Sequence, residues 1–153
     1  MSADCRLTLT VREAGGPDEL EAAMTLRRRV FCDEQGVSRK VEFDGLDGEA
    51  TQVVALDESG VVATCRLRFF GGDCKLERMA VERRLRGQGA GAALLEASER
   101  IARERGAVRM VLNAQTAARG FYAAGGYEPV GDPFIEASIE HVRMTKPLDA
   151  AGS

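Results

Sequence analysis

The sequence predicts a single α/β domain built on a mostly antiparallel sheet, and three observations carry that reading. Apolar residues alternate with period two, or run as short β-branched stretches, over Leu7–Val11, Thr51–Leu56, Val61–Phe70, Cys74–Val81 and Val108–Leu112. Helical spacing takes over in Asp18–Phe31, Gly89–Arg105 and Ala117–Ala124. Strands of the first half follow one another through tight turns rather than through helices, which argues against a doubly wound parallel sheet.

In chain order, Gly15-Gly16-Pro17-Asp18 forms a turn, and Asp18 is placed to cap the helix behind it. Leu20, Met24, Leu26 and Val30 give that helix its apolar positions, Gly36 interrupts it, and the chain to Gly48 reads as an irregular loop. Asp57-Glu58-Ser59-Gly60 and Gly71-Gly72-Asp73 are hairpin turns. The long helix places Leu94, Leu95, Ser98, Ile101 and Ala102 on one side and ends at Gly106. Gly125-Gly126 closes the short helix, and Tyr127–Phe134 with Ile139–Lys146 form a last hairpin. Residues 1–148 read as one domain and 149–153 as a disordered tail.

Composition removes several classes of function. A chain of 153 residues, 44% hydrophobic and 29% charged, is long enough for one real core. Its net charge of −3 supplies no general attraction to nucleic acid or anionic membrane. No segment approaches the roughly 20 apolar residues that span a bilayer, and the N-terminus carries charge early with no apolar run behind it, which predicts a cytoplasmic protein. Cys5, Cys32, Cys65 and Cys74 form no CxxC pair, and the lone histidine, His141, completes no zinc set, so no metal is expected.

Charge is unevenly spread. Asp33, Glu34, Glu42, Asp44, Asp47 and Glu49 dominate the stretch from Phe31 to Ala50, whereas Lys75, Arg78, Arg83, Arg84 and Arg86 dominate Lys75 to Gly89. A basic loop and an acidic segment suit an anionic cofactor and a cationic acceptor, although solvated faces also carry such runs.

The most informative stretch is Leu76–Gly91, where a strand enters a basic, glycine-rich loop and then an Ala/Leu-rich helix. Free N–H groups and the partial positive charge at a helix start bind phosphate, and glycines admit the backbone to a bulky anion. GxxxxGK[ST] is absent, which excludes a P-loop. Gly87-x-Gly89-x-x-Ala92 meets the dinucleotide pattern literally, but Glu82-Arg83-Arg84-Leu85-Arg86 separates it from the strand. The acidic ribose ligand about 20 residues on is missing as well.

Arg86-x-x-Gly89-x-Gly91 after Met79-Ala80-Val81 resembles the acetyl-CoA motif of the GCN5-related N-acetyltransferase (GNAT) family. A strand reaching Asn113, then Phe121-Tyr122 and Gly125-Gly126-Tyr127, follow in that family's order. The span from Val30-Phe31-Cys32-Asp33-Glu34-Gln35 to His141-Val142-Arg143-Met144 most resembles the small bacterial ElaA-like members, whose acceptor is generally unassigned. The resemblance implies a mixed sheet of six to seven strands with about four helices. It also implies a splay between Cys74–Val81 and Val108–Leu112 that opens a CoA cleft.

It implies site residues too. Backbone at Met79, Ala80 and Val81 would pair with the pantetheine arm, and an N–H near Val81 would polarise the thioester carbonyl. Arg86, Gly87, Gln88, Gly89, Ala90 and Gly91 would hold the diphosphate, with Asn113 on the pantetheine arm. Tyr122, beside the CoA sulfur, would protonate the leaving thiolate. Glu77 is a candidate base for the amine, its bland alternative being an ion pair with Arg78 or Lys75; His141 is a second candidate. The implied reaction is direct transfer of an acetyl group from acetyl-CoA to a small-molecule primary amine, and the family's habits allow a homodimer.

Two further readings remain at this level. Arg27, Phe31, Glu42, Asp44, Asp47 and Arg66 are arranged much as in acyl-homoserine-lactone synthases, whose charged residues line the substrate cleft. The chain lacks tryptophan, has Val37 where those enzymes place one, and keeps an acetyl-CoA loop that they generally lack. The shared pattern puts Gln35, Glu42, Asp44 and Asp47 at the border of the acceptor site, or else Asp44 and Asp47 pair with Arg66 to hold a loop. A non-catalytic acyl-CoA-binding domain of the same fold is the other reading.

Overall fold

The computed structural model describes residues 8–149. Cys5, Leu7 at the start of the first predicted strand and the residues from 150 of the predicted tail lie outside the described residues. Seven strands form one sheet in the order β1-β2-β3-β4-β5-β7-β6. These are β1 (Thr10–Glu13), β2 (Thr51–Asp57), β3 (Gly60–Phe70), β4 (Asp73–Val81), β5 (Arg109–Gln115), β6 (Glu128–Glu136) and β7 (Ile139–Pro147). Four α-helices accompany them: α1 (Pro17–Arg27), α2 (Arg39–Glu42), α3 (Ala90–Glu104) and α4 (Arg119–Ala124). Fold class, strand number and helix number agree with the sequence expectation.

Strands β1 and β2 pair antiparallel from Thr10↔Leu56 to Glu13↔Val53. The β2–β3 turn is held by Asp57, whose Oδ1 accepts from Ser59 N (2.7 Å) and Ser59 Oγ (2.6 Å). Parallel pairing joins β4 to β5 from Asp73↔Arg109 to Leu76↔Leu112, and β7 lies antiparallel to both β5 and β6. Helix α3 is strongly amphipathic, burying Leu94, Leu95, Ala97, Ser98, Ile101 and Ala102. It stops where Ala107 N bonds back to Ala102 O at 2.9 Å around Gly106.

The described residues pack as two compact units, one taking residues 8–66 and 78–97, the other taking residues 67–77 and 98–149. Val53, Val54, Val62, Ala63 and Leu94 are fully buried in the first; Leu67, Met110, Leu112, Tyr127 and Met144 in the second.

Several local expectations change. Asp18 does not cap α1: Pro17 opens the helix, Gly16 is the N-cap, and no side chain bonds the first amides. Proline at this place needs no amide partner and has its φ preset, so the start is fixed without an Asp cap. Leu20 is 40% exposed and not a core position. Beyond Arg27 the chain widens into a π-helical segment, Arg28–Glu34, with Gln35 N on Val30 O at 3.2 Å. The predicted irregular loop contains α2, started by Ser38, whose Oγ accepts from Val41 N at 3.2 Å, and a 3₁₀ turn at Asp47–Glu49. Strand β5 runs on to Gln115, so Asn113 lies inside it.

Candidate functional site

In the first unit, β4 delivers the chain to the basic loop. Glu82 N bonds Val62 O (2.8 Å), and a 3₁₀ turn at Arg83–Leu85 sinks Leu85 into the core. Gly87 (φ +78°) and Gly89 (φ +95°) then take left-handed backbone that a side chain resists. Space around both is open, so conformation and not crowding selects glycine. Helix α3 makes its first bond from Ala93 N to Gly89 O (3.0 Å), which leaves the amides of Ala90, Gly91 and Ala92 ahead of the ladder. Its first turn holds no acidic residue. This end of the unit therefore offers amides, a helix dipole and basic side chains to an anion.

Arg86 is half-exposed and doubly held. Its Nε donates to Val81 O at 3.0 Å, and its Nη1 lies 2.8 Å from Glu34 Oε1. That hydrogen bond from Arg86 holds the Glu34 carboxyl below its ordinary range. Gln88 Nε2 donates to Arg84 O at 3.1 Å, tightening the loop.

The acidic segment closes a ring of six alternating charges. Arg27 Nε meets Glu42 Oε2 at 2.6 Å, and Glu42 Oε1 meets Arg78 Nε at 2.9 Å. Arg78 Nη2 meets Asp44 Oδ2 at 3.3 Å, and Asp44 Oδ1 meets Arg66 Nη1 at 2.9 Å. Arg66 Nη1 meets Asp47 Oδ1 at 3.2 Å, and that oxygen returns to Arg27 Nη1 at 2.6 Å. Arg27 and Arg66 are 0% exposed and Glu42 is 2% exposed, whereas Arg78, Asp44 and Asp47 keep a partly exposed edge, so the ring is buried on one side and balanced in charge. Burial pushes the Glu42 carboxyl up despite Arg27 and Arg78. Asp44 is held far below its ordinary value, chiefly by the hydrogen bonds of Arg66. Burial works to raise Asp47, but hydrogen bonds and charge from Arg27 and then Arg66 overcome it and leave the group lowered. The alternative in which Asp44 and Asp47 pair with Arg66 to hold the loop is thus present in the geometry. Gln35 sits just past the π-helical segment as its C-cap.

Arg78 has φ +58° within β4. For an arginine that conformation costs of order 1–3 kcal/mol. Met79, Ala80 and Val81 follow, and Ala80 is buried in a cluster with Leu26 and Val30.

In the second unit, Glu77 is gripped by Arg68, with Nε on Oε1 at 2.7 Å and Nη2 on Oε2 at 3.0 Å, and Lys75 Nζ stands 3.3 Å away. The expected pairing with Lys75 is present, but Arg78 turns to Glu42 and Asp44, and Arg68 replaces it. Asn113 faces Arg143 across the β5–β7 ladder, and its Nδ2 donates to Glu136 Oε1 at 3.4 Å. His141 faces Gln115 on β5 and Phe134 on β6 and is 7% exposed. Its ring stacks on Phe134 (centroids 6.0 Å apart), and Nδ1 lies 2.7 Å from Ile139 O. A carbonyl accepts only, so this contact assigns the proton to Nδ1 and leaves Nε2 as the basic nitrogen.

Tyr122, on α4, is 8% exposed and sits edge-on to Phe121 (4.9 Å between centroids) and Tyr127 (6.0 Å). Tyr127 donates its hydroxyl to Glu99 Oε2 at 2.8 Å, and Glu99 Oε1 pairs with Lys146 at 2.9 Å. Burial first, then Glu99, pushes the Tyr127 phenol well above its ordinary value. Tyr127 is thereby a fixed structural acid beside Tyr122.

Sequence reasoning missed Arg78 as a ring member, the Glu34–Arg86 pair and the Tyr127–Glu99–Lys146 chain. Each joins residues far apart in sequence, and opposite charge was the only signal available. Among the described residues, Cys32, Cys65 and Cys74 form no disulfide, no group of His, Cys, Asp and Glu suits a metal, and no helix is long and apolar enough to cross a membrane.

The profile of the acetyltransferase (GNAT) domain matches residues 19–148. The Bacillus subtilis protein BSU40680, which carries a provisional acetyltransferase name, is 35% identical over 146 residues, covering 94% of this chain and 99% of that protein. The crystal structure of a provisionally named N-acetyltransferase from Lactobacillus plantarum superposes with a TM-score of 0.87 at 29% identity, over 94% of this chain and all of that one (100%). Escherichia coli ElaA shares the fold at a TM-score of 0.77 and 22% identity, over 91% of this chain and 98% of its own. An aminoglycoside 6′-N-acetyltransferase complexed with coenzyme A shares it at 0.74 and 16%, over 96% of this chain and 100% of its own. The chain belongs to the GNAT family of acetyltransferases.

Proposed function

We propose that this protein moves the acetyl group of acetyl-CoA to a primary amine of a small acceptor, in one direct step and in the cytoplasm. The observation that carries the reading is the Arg86–Gly91 loop. Its two left-handed glycines and the open amides of α3 suit a diphosphate in a family of acetyltransferases. The coenzyme A of the aminoglycoside acetyltransferase complex supports the same cofactor by analogy of fold.

In this scheme the amine nitrogen attacks the thioester carbonyl, and an amide near Val81 takes up the developing oxyanion charge. A base removes the amine proton, the C–S bond breaks, and Tyr122 donates its phenolic proton to the departing thiolate. Of the two bases the sequence offers, the bonding favours His141. Its Nδ1 is committed to Ile139 O, which frees Nε2 to accept a proton, whereas both oxygens of Glu77 are committed to Arg68 and Lys75. Asn113 would contact the pantetheine arm. Gln35 with Glu42, Asp44 and Asp47 would border the acceptor, the three carboxylates acting by shaping their loop.

The test is a panel of primary amines with acetyl-CoA, followed by thiol release and by mass detection of the acetylated amine. Amine-dependent release supports the reading. A flat panel from a chain that still binds CoA would move it to the non-catalytic binding domain, and a lactone from S-adenosylmethionine and acyl carrier would move it to the synthase-like enzyme.

A further inference from the structure

Glycine adopts a left-handed backbone freely, yet the left-handed position in β4 holds Arg78, with φ +58°. A costly conformation of this kind persists only where its surroundings impose it. The surroundings here are specific. Arg78 donates to Val41 O and Glu42 O at 3.3 Å each, and pairs with Glu42 Oε1 at 2.9 Å and Asp44 Oδ2 at 3.3 Å. All of these contacts fall on one segment, residues 41–44. That segment is itself pinned by Arg27 from α1 and Arg66 from β3, both 0% exposed. On the other side of the kink, Ala80 is wedged against Leu26 and Val30. The kink is therefore clamped at both ends, and the residues leaving it are Met79 to Val81.

We propose that Arg78 is a positioning residue: its ion pairs to Glu42 and Asp44 lock the left-handed kink of β4 and thereby aim the Met79–Val81 amides at the pantetheine arm of acetyl-CoA. The same pairs tie the acidic loop to that strand, so loss of the lock disturbs the acceptor border as well. The inference rests on the acetyl-CoA reading above, but the lock itself is a property of the unliganded chain.

Three variants separate the parts. Arg78→Ala keeps the strain and loses the tether, Arg78→Gly loses both, and Arg78→Lys restores a single charge. Two measurements are made on each: amide exchange at Met79–Val81 without ligand, and calorimetric affinity for acetyl-CoA and for adenosine 3′-phosphate 5′-diphosphate, the nucleotide of CoA without its arm. Exchange should quicken in Ala and Gly, by about tenfold or more in Ala. Acetyl-CoA affinity should fall about tenfold in Ala, less in Gly and least in Lys, while the nucleotide stays within about twofold. Unchanged exchange in Arg78→Ala overturns the lock, and equal loss for both ligands overturns the aiming role. A wild-type chain that binds neither ligand overturns the acetyl-CoA reading and with it the aiming role, and exchange still decides the lock.

Discussion

Arg86, the one arginine of the Arg86–Gly91 loop, lies 2.8 Å from Glu34 at the end of the π-helical segment. In the proposed acetyl-CoA complex, a diphosphate at the loop would compete with that carboxylate for the guanidinium. Glu34→Gln should therefore tighten acetyl-CoA binding by about two- to fivefold, the scale of a half-exposed ion pair, and the gain should shrink as salt rises. Calorimetric titration at two ionic strengths checks both. Weaker binding in the variant would mean that Glu34 orients Arg86 for the ligand instead of competing with it.

Tyr122→Phe removes one oxygen and keeps the edge-on packing with Phe121 and Tyr127. Acetyl-CoA affinity should hold, and kcat should drop by about 10²-fold or more, as for loss of a general acid. Turnover unchanged across a pH series would take Tyr122 out of the chemistry.

Glu77 and His141 make opposite predictions. His141→Gln should lower kcat by about 10²-fold. Glu77→Gln should leave kcat within a few-fold and cost mainly fold stability, because Arg68 loses its charged partner. The reverse pattern in kcat would hand the base role to Glu77.

The charge ring gives stability a pH dependence with a definite sign. Asp44 and Asp47 are lowered in the folded chain, so the stability they contribute is present above the ordinary carboxylate value of 3.8 and is lost as pH falls through their lower folded values. Glu42 is raised, so its contribution runs the other way and declines as pH rises through and above 4.5. Denaturant melts should thus show stability climbing up to about pH 4, with the climb reduced in Asp44→Asn. Glu42→Gln leaves buried Arg27 short of a counter-charge and should cost about 3–5 kcal/mol. A loss below about 1 kcal/mol would show the ring to be no more than a set of surface pairs.

What could be read in the sequence was local. Alternation and the Asp57–Gly60 turn placed β2, β3 and β4 within a residue or two, and the glycines at 87, 89 and 106 bracketed α3. The loop proposed to meet the cofactor was legible for the same reason, since its chemistry lies in consecutive residues. The π-helical widening after Arg27 was not, because a shift of hydrogen-bond register leaves no mark in composition. Helix α2 was missed although Ser38 stands at its start, since four residues carry no periodicity. Arg78 was least legible of all. Nothing in Leu76-Glu77-Arg78-Met79 shows that its backbone turns left-handed, or that its partners sit more than thirty residues upstream at Glu42 and Asp44.

The central claim is that this fold transfers acetyl groups from acetyl-CoA to an amine. It is tested most directly by mixing the purified chain with acetyl-CoA and the primary-amine panel and measuring free thiol together with acetylated product. The account predicts thiol release that depends on one class of amine, matches acetylated product in amount, and falls by about 10²-fold in Tyr122→Phe. Thiol release that no amine alters, or that leaves no acetylated amine, would contradict it.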